Sequence, residues 1–291
     1  MTDHAILSLF LAGSTLFSAC LKEGRSVTPG AEGGTVRLVV NVDDVGNFPD
    51  TADGVVALWK AGAISSASVI AFAPDFDHSV RLLLENGIPT GAHLALNHGN
   101  GVLGADEVPS LHAGDGELWG TAEETLANMN IEEVELEFEA QIEKLMKAGI
   151  VPSHLDSHMG LVFSDPSLLR LYEALALKYR IPLALPDHPY FDPVRKALAS
   201  ASLPASDALV GIYELPSGVE ESGHNRASAY ASLLSSLKGG LNHLYSHPTP
   251  PTEAVRAAFD DHAIRNDDFS LFMSPEWKEL LSASKVTLAR Y

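Results

Sequence analysis

The stretch VRLVVNVDDVG, residues 36–46, joins an apolar, β-branched run directly to two adjacent carboxylates, Asp43 and Asp44. Such a run is typical of a strand that is buried on both faces, as in a parallel sheet covered by helices. Two adjacent like charges at the end of that strand repel each other and lose hydration. Because active sites of parallel α/β folds lie at the carboxyl ends of strands, the stretch predicts both a buried strand and a functional site.

The same alternation of apolar runs and helical patterns continues along the chain. The clearest helical pattern is NIEEVELEFEAQIEKLMKAG (130–149), whose acidic residues are expected to face solvent. About eight such repeats predict a parallel α/β fold, and the strand count favours a TIM-like (β/α) barrel over an open, doubly wound sheet. No G-x-G-x-x-G follows the first strand, which argues against dinucleotide binding. The other predicted strands are residues 65–73, 91–97, 152–159, 181–186, 208–216, 241–248 and 285–291.

The overall charge narrows the class of partner. The chain has 291 residues and a net charge of −19, and 46% of its residues are hydrophobic. This apolar fraction supplies a core and excludes a disordered chain. The acidic balance argues against nucleic-acid binding, which needs clustered Lys and Arg, and fits a neutral or cationic small substrate.

The N-terminal region differs from the rest. Residues 5–19, AILSLFLAGSTLFSA, are apolar and end in small residues before Cys20, the single cysteine. This pattern resembles a bacterial lipoprotein signal, after which the cysteine carries lipid. We therefore expect a signal-like segment over 1–20, a Gly-rich linker over 21–35 and one folded domain over 36–291, with the protein in the cell envelope or periplasm. The alternative is a cytoplasmic protein with an N-terminal helix and an inert cysteine.

Ionisable residues recur where the predicted strands end. His93 lies in GAHLALNHG, His158 in SHLDSHM, and His247 ends LYSHP. One carboxylate of the Asp43–Asp44 pair and two imidazoles from other strands form a metal site with positions open for water and substrate. A bound dication would also relieve the repulsion between the two carboxylates.

Three motifs carry a resemblance to a known family. VNVDDVG (40–46), GAHLALNHG (91–99) and SHLDSH (153–158) resemble the signatures N-A-D-D-F-G, G-x-H-x-x-L-T-x-G and T-H-L-D-S-H of the YdjC-like carbohydrate deacetylases. They occur in the family's order, and LYSHPTPP (244–251) resembles its late H-P strand. The resemblance implies a distorted (β/α) barrel that uses one divalent metal ion to remove N-acetyl groups from an amino sugar or oligosaccharide.

The resemblance also implies roles by position. Asp44, His93 and His158 correspond to the metal ligands, and Asp43 corresponds to the general base. Zn²⁺ suits two imidazoles and one carboxylate, while Mg²⁺ and Mn²⁺ remain alternatives. The departing sugar amine needs a proton, for which His247 is the candidate acid, since imidazole titrates near neutral pH.

Other polar residues receive supporting roles. Residues two apart in a strand share a face, so Asp156 is expected to orient a histidine ligand and His154 to be its structural partner. In the polar segment 98–121, His98 and His112 are candidates for gripping substrate. Trp119 either stacks on a sugar ring or pins this segment to the body of the protein.

The chain departs from the family pattern after His158. The family commonly continues D-S-H-x-H-x-H, whereas this chain has Met159, Gly160 and Val162, and an Arg common in the following strand is missing from IPLALP (181–186). One alternative function is therefore a carbohydrate- or metal-binding protein without turnover. A second is a non-haem Fe(II) oxygenase, which uses two His and one carboxylate but usually on a jelly-roll sheet.

Overall fold

The strands form one parallel sheet that curls around the core. The structure is a computed structural model that describes residues 34–212 and 225–291. Within these residues seven strands pair in parallel. They are β1 (Val36–Val45), β2 (Ser66–Val69), β3 (Thr90–Leu94), β4 (Leu155–Ser157), β5 (Ala208–Val210), β6 (Gly240–Ser246) and β7 (Thr287–Leu288).

The central strand is β1, the strand that the apolar run predicts. The order across the sheet is β4-β3-β2-β1-β6-β5. β1 pairs with β6 from Val36 to Val42, and on its other side it pairs with β7 near its start and with β2 from Asn41 onward. Its apolar side chains from Leu38 onward are buried because the sheet is covered on both faces.

Two single bridges continue the sheet beyond β4. Leu155 bridges in parallel to Leu183, and Leu183 bridges to Ala205, three residues before β5. The sheet therefore continues from β4 towards β5 and curls into a distorted (β/α) barrel, as the sequence predicts. The predicted strand 181–186 is therefore reduced to the single bridging residue Leu183. Pro182 and Pro186 have no N–H to donate to a neighbouring strand, which prevents a longer one.

Helices surround the sheet, as expected for strand–helix alternation. In the helix Ile131–Lys147, Asn130 caps the first turn by accepting the Glu132 N–H at 2.9 Å, and the apolar stripe around Phe138 faces the core. The helices are α1 (Pro49–Ala61), α2 (Phe76–Glu85), α3 (Ala122–Asn128), α4 (Ile131–Lys147), α5 (Pro166–Tyr179), α6 (Asp192–Ser200), α7 (Arg226–Ser236), α8 (Glu253–Ala258), α9 (His262–Met273) and α10 (Pro275–Ala283).

A bulge interrupts β1 where the two carboxylates stand. The register with β2 shifts between Val42 and Val45, and Asp44 has a φ of +61°, in the left-handed region. Non-glycine residues adopt this conformation at an energetic cost, and it recurs at functional sites. Because a bulge breaks the strict alternation of side chains, Asp43 and Asp44 both lie near His93 rather than on opposite faces of the strand.

Several predictions concern residues that the structure does not describe. Cys20, the signal-like segment and the linker up to residue 33 lie outside the described ranges, so the domain division and the lipid anchor stay predictions. The predicted strand 208–216 is observed as β5, and its residues 213–216 are likewise not described. In the described parts of the chain, no helix is both long enough and apolar enough to span a membrane.

Gly91 allows β3 to pack against His154. A Cβ at position 91 would lie 2.5 Å from two atoms of the fully buried His154 ring. We expect Gly91→Ala to lower the free energy of unfolding by about 1–3 kcal/mol through overpacking, measured by urea denaturation. Gly104→Ala is the matched control, since a Cβ there meets no atom within 4 Å. Equal unfolding midpoints for the two variants would show that the ring has room to move.

Candidate metal centre

The predicted site residues converge at the carboxyl ends of the strands. Asp44 lies near the end of β1, His93 lies in β3, His158 directly follows β4, and His247 directly follows β6. The parallel sheet brings these ends to one rim, as the fold requires.

Asp44 is the centre of this arrangement. Its Oδ1 lies 3.2 Å from His93 Nε2 and 3.7 Å from His158 Nε2, and its Oδ2 lies 3.6 Å from His247 Nε2. Burial opposes ionisation, but the interaction with His93 and the neighbouring imidazoles outweigh it and hold the pKa of Asp44 well below its usual value. Although buried, Asp44 Oδ1 accepts no hydrogen bond from any described residue.

Asp156 fixes the orientation of His93. Asp156 Oδ1 lies 2.9 Å from His93 Nδ1, and Asp156 Oδ2 accepts hydrogen bonds from Ser68 Oγ at 2.6 Å and Asn41 Nδ2 at 3.2 Å. Burial lowers the pKa of His93, but the charge of Asp156 and the contacts with both carboxylates outweigh it and raise the pKa well above 6.5. With Nδ1 held by Asp156, Nε2 is the nitrogen directed at Asp44. Asp156 thus stands where the sequence interpretation requires it.

His158 is oriented in the same way by Asn97. The Nδ1 of His158 lies 2.9 Å from Asn97 Oδ1, and an amide oxygen only accepts, so Nδ1 carries the proton and Nε2 the lone pair. Burial lowers the pKa of His158 to about 4, and the ring is therefore neutral at neutral pH. A neutral imidazole is the form that binds a metal.

Asp43 lies beside the cluster with its own partner. Its Oδ1 accepts a hydrogen bond from Asn41 Nδ2 at 2.7 Å. Burial, opposed by the charge of His93 and reinforced by Asp156 and Asp44, raises the pKa of Asp43 well above its usual value. The two adjacent carboxylates therefore have opposite pKa shifts, which is the pattern expected of one ligand and one base.

His247 completes the rim opposite His158. Burial lowers its pKa to about 4, although the negative charge of Asp44 acts in the other direction. The ring is therefore neutral at neutral pH in this structure. As an acid, His247 would first have to acquire a proton during the reaction.

The donor set fits a divalent metal. The Nε2 atoms of His93 and His158 lie 3.2 and 3.7 Å from one buried carboxylate oxygen, Asp44 Oδ1, which has no hydrogen bond within the described residues. Each ring is held through its other nitrogen, His93 by Asp156 and His158 by Asn97. Asp43, His93 and Asp156 also bring one donor atom each within 4.8 Å of one another. Asp44 Oδ1 is the carboxylate oxygen that faces the Nε2 atoms of both His93 and His158, whereas Asp156 faces His93 through the other ring nitrogen, Nδ1.

The supporting residues have mixed outcomes. His98 lies beside the site, with its ring centroid 6.4 Å from that of His158. His112 is buried, and both its ring nitrogens lie within 3.1 Å of backbone carbonyls, so it orders the loop instead of facing substrate. Trp119 donates its Nε1–H to Ser110 O at 2.9 Å, which supports the pinning role.

The solvent-facing interpretation of the acidic helix is wrong for Glu137. Its side chain is fully buried and accepts the N–H groups of Val102 and Leu103, both at 2.8 Å. Loop N–H groups turned towards the protein need acceptors, and Glu137 supplies them. Burial raises the pKa of Glu137, although these hydrogen bonds act in the opposite direction.

Sequence reasoning missed the neutral residues that position the charged ones. Asn41, Ser68 and Asn97 each touch a predicted site residue. The only sequence signal is that Asn41 and Asn97 are amides in or next to apolar runs that are otherwise typical of core strands.

The fold and site together define a parallel α/β-barrel protein with a candidate metal centre at the carboxyl rim. A family model described as YdjC-like protein matches residues 37–283. The match covers most of the chain, and the chain belongs to the YdjC-like family.

Similar proteins agree with this assignment. A carbohydrate deacetylase of Listeria monocytogenes is 35% identical over 150 residues, which are 50% of this chain and 59% of that protein. A carbohydrate deacetylase of Brevibacillus brevis is 33% identical over 152 residues, or 52% of this chain and 60% of that protein. The matched part of the chain thus spans only about three fifths of these relatives' length.

A solved structure supports the fold. A protein of Enterococcus faecalis described as a cellobiose-phosphate cleavage protein superimposes with a TM-score of 0.75. The match covers 88% of this chain and 97% of that chain at 23% identity. This likeness confirms the distorted barrel.

Asp156→Asn tests the orientation of His93. The substitution removes the charge that holds Nδ1–H while keeping the side-chain shape, so we expect divalent-metal affinity to fall about 10- to 100-fold. Competition with a chromophoric chelator measures this affinity. The exposed Asp106→Asn is the charge-matched control and should leave it unchanged. If both variants bind as tightly as the unmodified protein, Asp156 has no part in positioning the ligand.

Proposed function

We propose that this chain is a metal-dependent hydrolase that removes N-acetyl groups from an acetylated amino sugar or oligosaccharide. The observation that carries the proposal is the convergence of the His93 and His158 Nε2 atoms on Asp44, with the carboxylate of Asp43 beside them. The relatives named carbohydrate deacetylase support the substrate class.

The metal site is part of the proposal. Asp44, His93 and His158 would hold one divalent ion; Zn²⁺ suits these donors, and Mg²⁺ and Mn²⁺ are the alternatives. Such an ion supplies a Lewis acid that polarises an acetamide carbonyl and acidifies bound water. Asp156 and Asn97 keep the two rings in the ligating orientation before the ion arrives.

Asp43 is the proposed general base. Its raised pKa makes it a better proton acceptor near neutral pH than an ordinary aspartate. The hydrogen bond from Asn41 to its Oδ1 holds the side chain in place and leaves Oδ2 to receive the proton of the attacking water. Asp44 is the poorer base of the pair, because the imidazoles around it hold its pKa low.

His247 is the proposed acid for the departing amine. Its ring is neutral at rest, since burial lowers its pKa to about 4. To act as the acid, His247 would first have to receive the proton that Asp43 takes from water, and the imidazolium so formed would then donate it to the departing nitrogen. Water thus supplies the proton that the amine gains, and Asp43 and His247 return to their starting states.

The two alternatives differ from this proposal in what they predict. Met159 is 45% exposed beside His158, and its Sδ accepts from Asn97 Nδ2 at 3.1 Å. The two following histidines of the family pattern are replaced here by Gly160 and Val162, so polar groups are missing from this side of the site. A binding protein without turnover would keep the metal and release no acetate. An Fe(II) oxygenase would share the ligand set, but this sheet is parallel and flanked by helices, unlike a jelly roll.

Acetate release tests the reaction class. Metal-stripped protein is reloaded with Zn²⁺, Mg²⁺ or Mn²⁺ and incubated with N-acetylated mono- and oligosaccharides. We expect metal-dependent acetate with at least one sugar. Stoichiometric metal binding without acetate from any sugar would favour the binding protein.

Asp43→Asn separates the base from the ligands. The amide cannot accept a proton, so we expect kcat to fall roughly 10²- to 10⁴-fold while metal content is unchanged. The exposed Asp53→Asn serves as the control and should keep full activity. Loss of metal along with activity would instead identify Asp43 as a ligand.

Comparing His247→Gln on two substrates with different leaving groups tests the role of His247 as the acid. We expect a large loss of kcat with an N-acetyl sugar, whose amine must be protonated, and a much smaller loss with an aryl acetate, whose phenolate leaves unaided. The pair of substrates is its own control for folding and metal content. An equal loss with both substrates would contradict the acid role and indicate a general effect on the site.

A further inference from the structure

A second group of donor atoms lies deeper in the barrel than the candidate metal centre. His154, Asp156 and His243 are all buried, and one donor atom of each lies within 4.8 Å of the others. His154 immediately precedes β4 and His243 lies in β6, so elements from opposite parts of the sheet order supply them. The proposed deacetylase reaction uses neither histidine.

The rings are oriented as metal-binding histidines are. The Nδ1 of His154 lies 2.9 Å from Ser153 Oγ, and the Nδ1 of His243 lies 2.8 Å from the Tyr291 hydroxyl. Each Nδ1 thus has a hydroxyl that can accept its proton, which leaves the lone pair on Nε2. Both Nε2 atoms are fully buried and have no hydrogen-bond partner among residues 34–212 and 225–291.

The distances favour coordination over a direct hydrogen bond. His154 Nε2 lies 3.5 Å from Asp156 Oδ2, which is longer than an ordinary N–H···O hydrogen bond of about 2.7–3.2 Å. Two ligands of a tetrahedral zinc ion, each about 2.0–2.1 Å from the metal, are about 3.4 Å apart. The observed separation therefore matches two ligands of one ion.

We propose that His154, Asp156 and His243 bind a second divalent cation of the zinc class inside the barrel. Two buried imidazole nitrogens without partners destabilise a fold, and an ion bound by both removes that cost. Burial lowers the pKa of His243 to about 3, which keeps that ring in its neutral, ligating form. The site is defined by its own ligands and does not depend on the deacetylase proposal.

Asp156 connects this site to the candidate metal centre. Its Oδ1 faces His93 Nδ1, and its Oδ2 faces His154 Nε2. An ion bound by His154 and His243 would hold the same carboxylate that orients His93. Because the three donors are buried, we expect the ion to enter during folding and to resist chelators in the native state.

Metal counting tests the proposal. The full chain is refolded with Zn²⁺, freed of loose metal by gel filtration, and analysed by mass spectrometry for zinc per chain. We expect two equivalents, of which a brief EDTA treatment removes one. Asp44→Asn should lose the EDTA-sensitive ion, whereas His243→Gln should lose the resistant ion. His78→Gln, which removes an imidazole outside both clusters, should keep two.

Variants can fail to fold, and His154→Gln is therefore measured beside His243→Gln, with circular dichroism as the folding check. Crystals of the unmodified zinc-loaded chain provide a measurement that needs no variant. We expect an anomalous difference peak at the zinc edge between the two rings. A single zinc per chain that Asp44→Asn abolishes, or density between the rings without anomalous signal, overturns the proposal.

Discussion

The charge of Asp44, buried at the end of the central strand, is the constraint on which the rim of the barrel depends. Three imidazole nitrogens face its two oxygens at 3.2–3.7 Å, and their combined effect outweighs the cost of burying an ionised carboxylate. The separations from His158 and His247, 3.7 and 3.6 Å, are too long for good hydrogen bonds, and only His93, at 3.2 Å, comes within that range. The strained backbone at Asp44 is retained because it places the carboxylate there.

The interior of this barrel is unusually polar around Asp156. Barrel interiors are commonly filled by branched apolar side chains. Here Asn41, Ser68, His93 and His154 all approach one buried carboxylate. A buried polar network stabilises a single arrangement only where its members have hydrogen-bond partners. Asp156 therefore orders the ring of His93, while the Nε2 atoms of His154 and His243 are left without partners among the described residues. Both candidate ion sites follow from that one carboxylate.

The loop over the rim is held by the same physical rule. Residues 98–121 contain many N–H groups and carbonyls that no strand pairs, and the side chains of Glu137, Trp119 and His112 supply partners for them from a helix and from the loop itself. The loop also packs Val108, Leu111 and Leu118 into the main core, and it brings His98 to within 6.4 Å of the His158 ring. Its placement makes it the part of the chain best situated to select a substrate.

Local sequence pattern by itself determined the alternation of buried strands and amphipathic helices, and hence a parallel barrel with its site at the carboxyl rim. Each of β1, β3 and β6 coincides with a short apolar run of the sequence, and the pattern therefore predicted these strands. The motifs around Asp44, His93 and His158 also predicted the candidate ligands, through their resemblance to the signatures of a known family.

Only the tertiary structure decided how those residues are oriented. Asn97 meets His158, Asp156 meets His93, and Tyr291 meets His243 across separations of dozens of residues. Such contacts depend on how the barrel curls and where β1 bulges, and no local periodicity encodes either. The same reason explains Glu137, whose helical position is typical of a solvent-facing charge until a loop from elsewhere in the chain covers it.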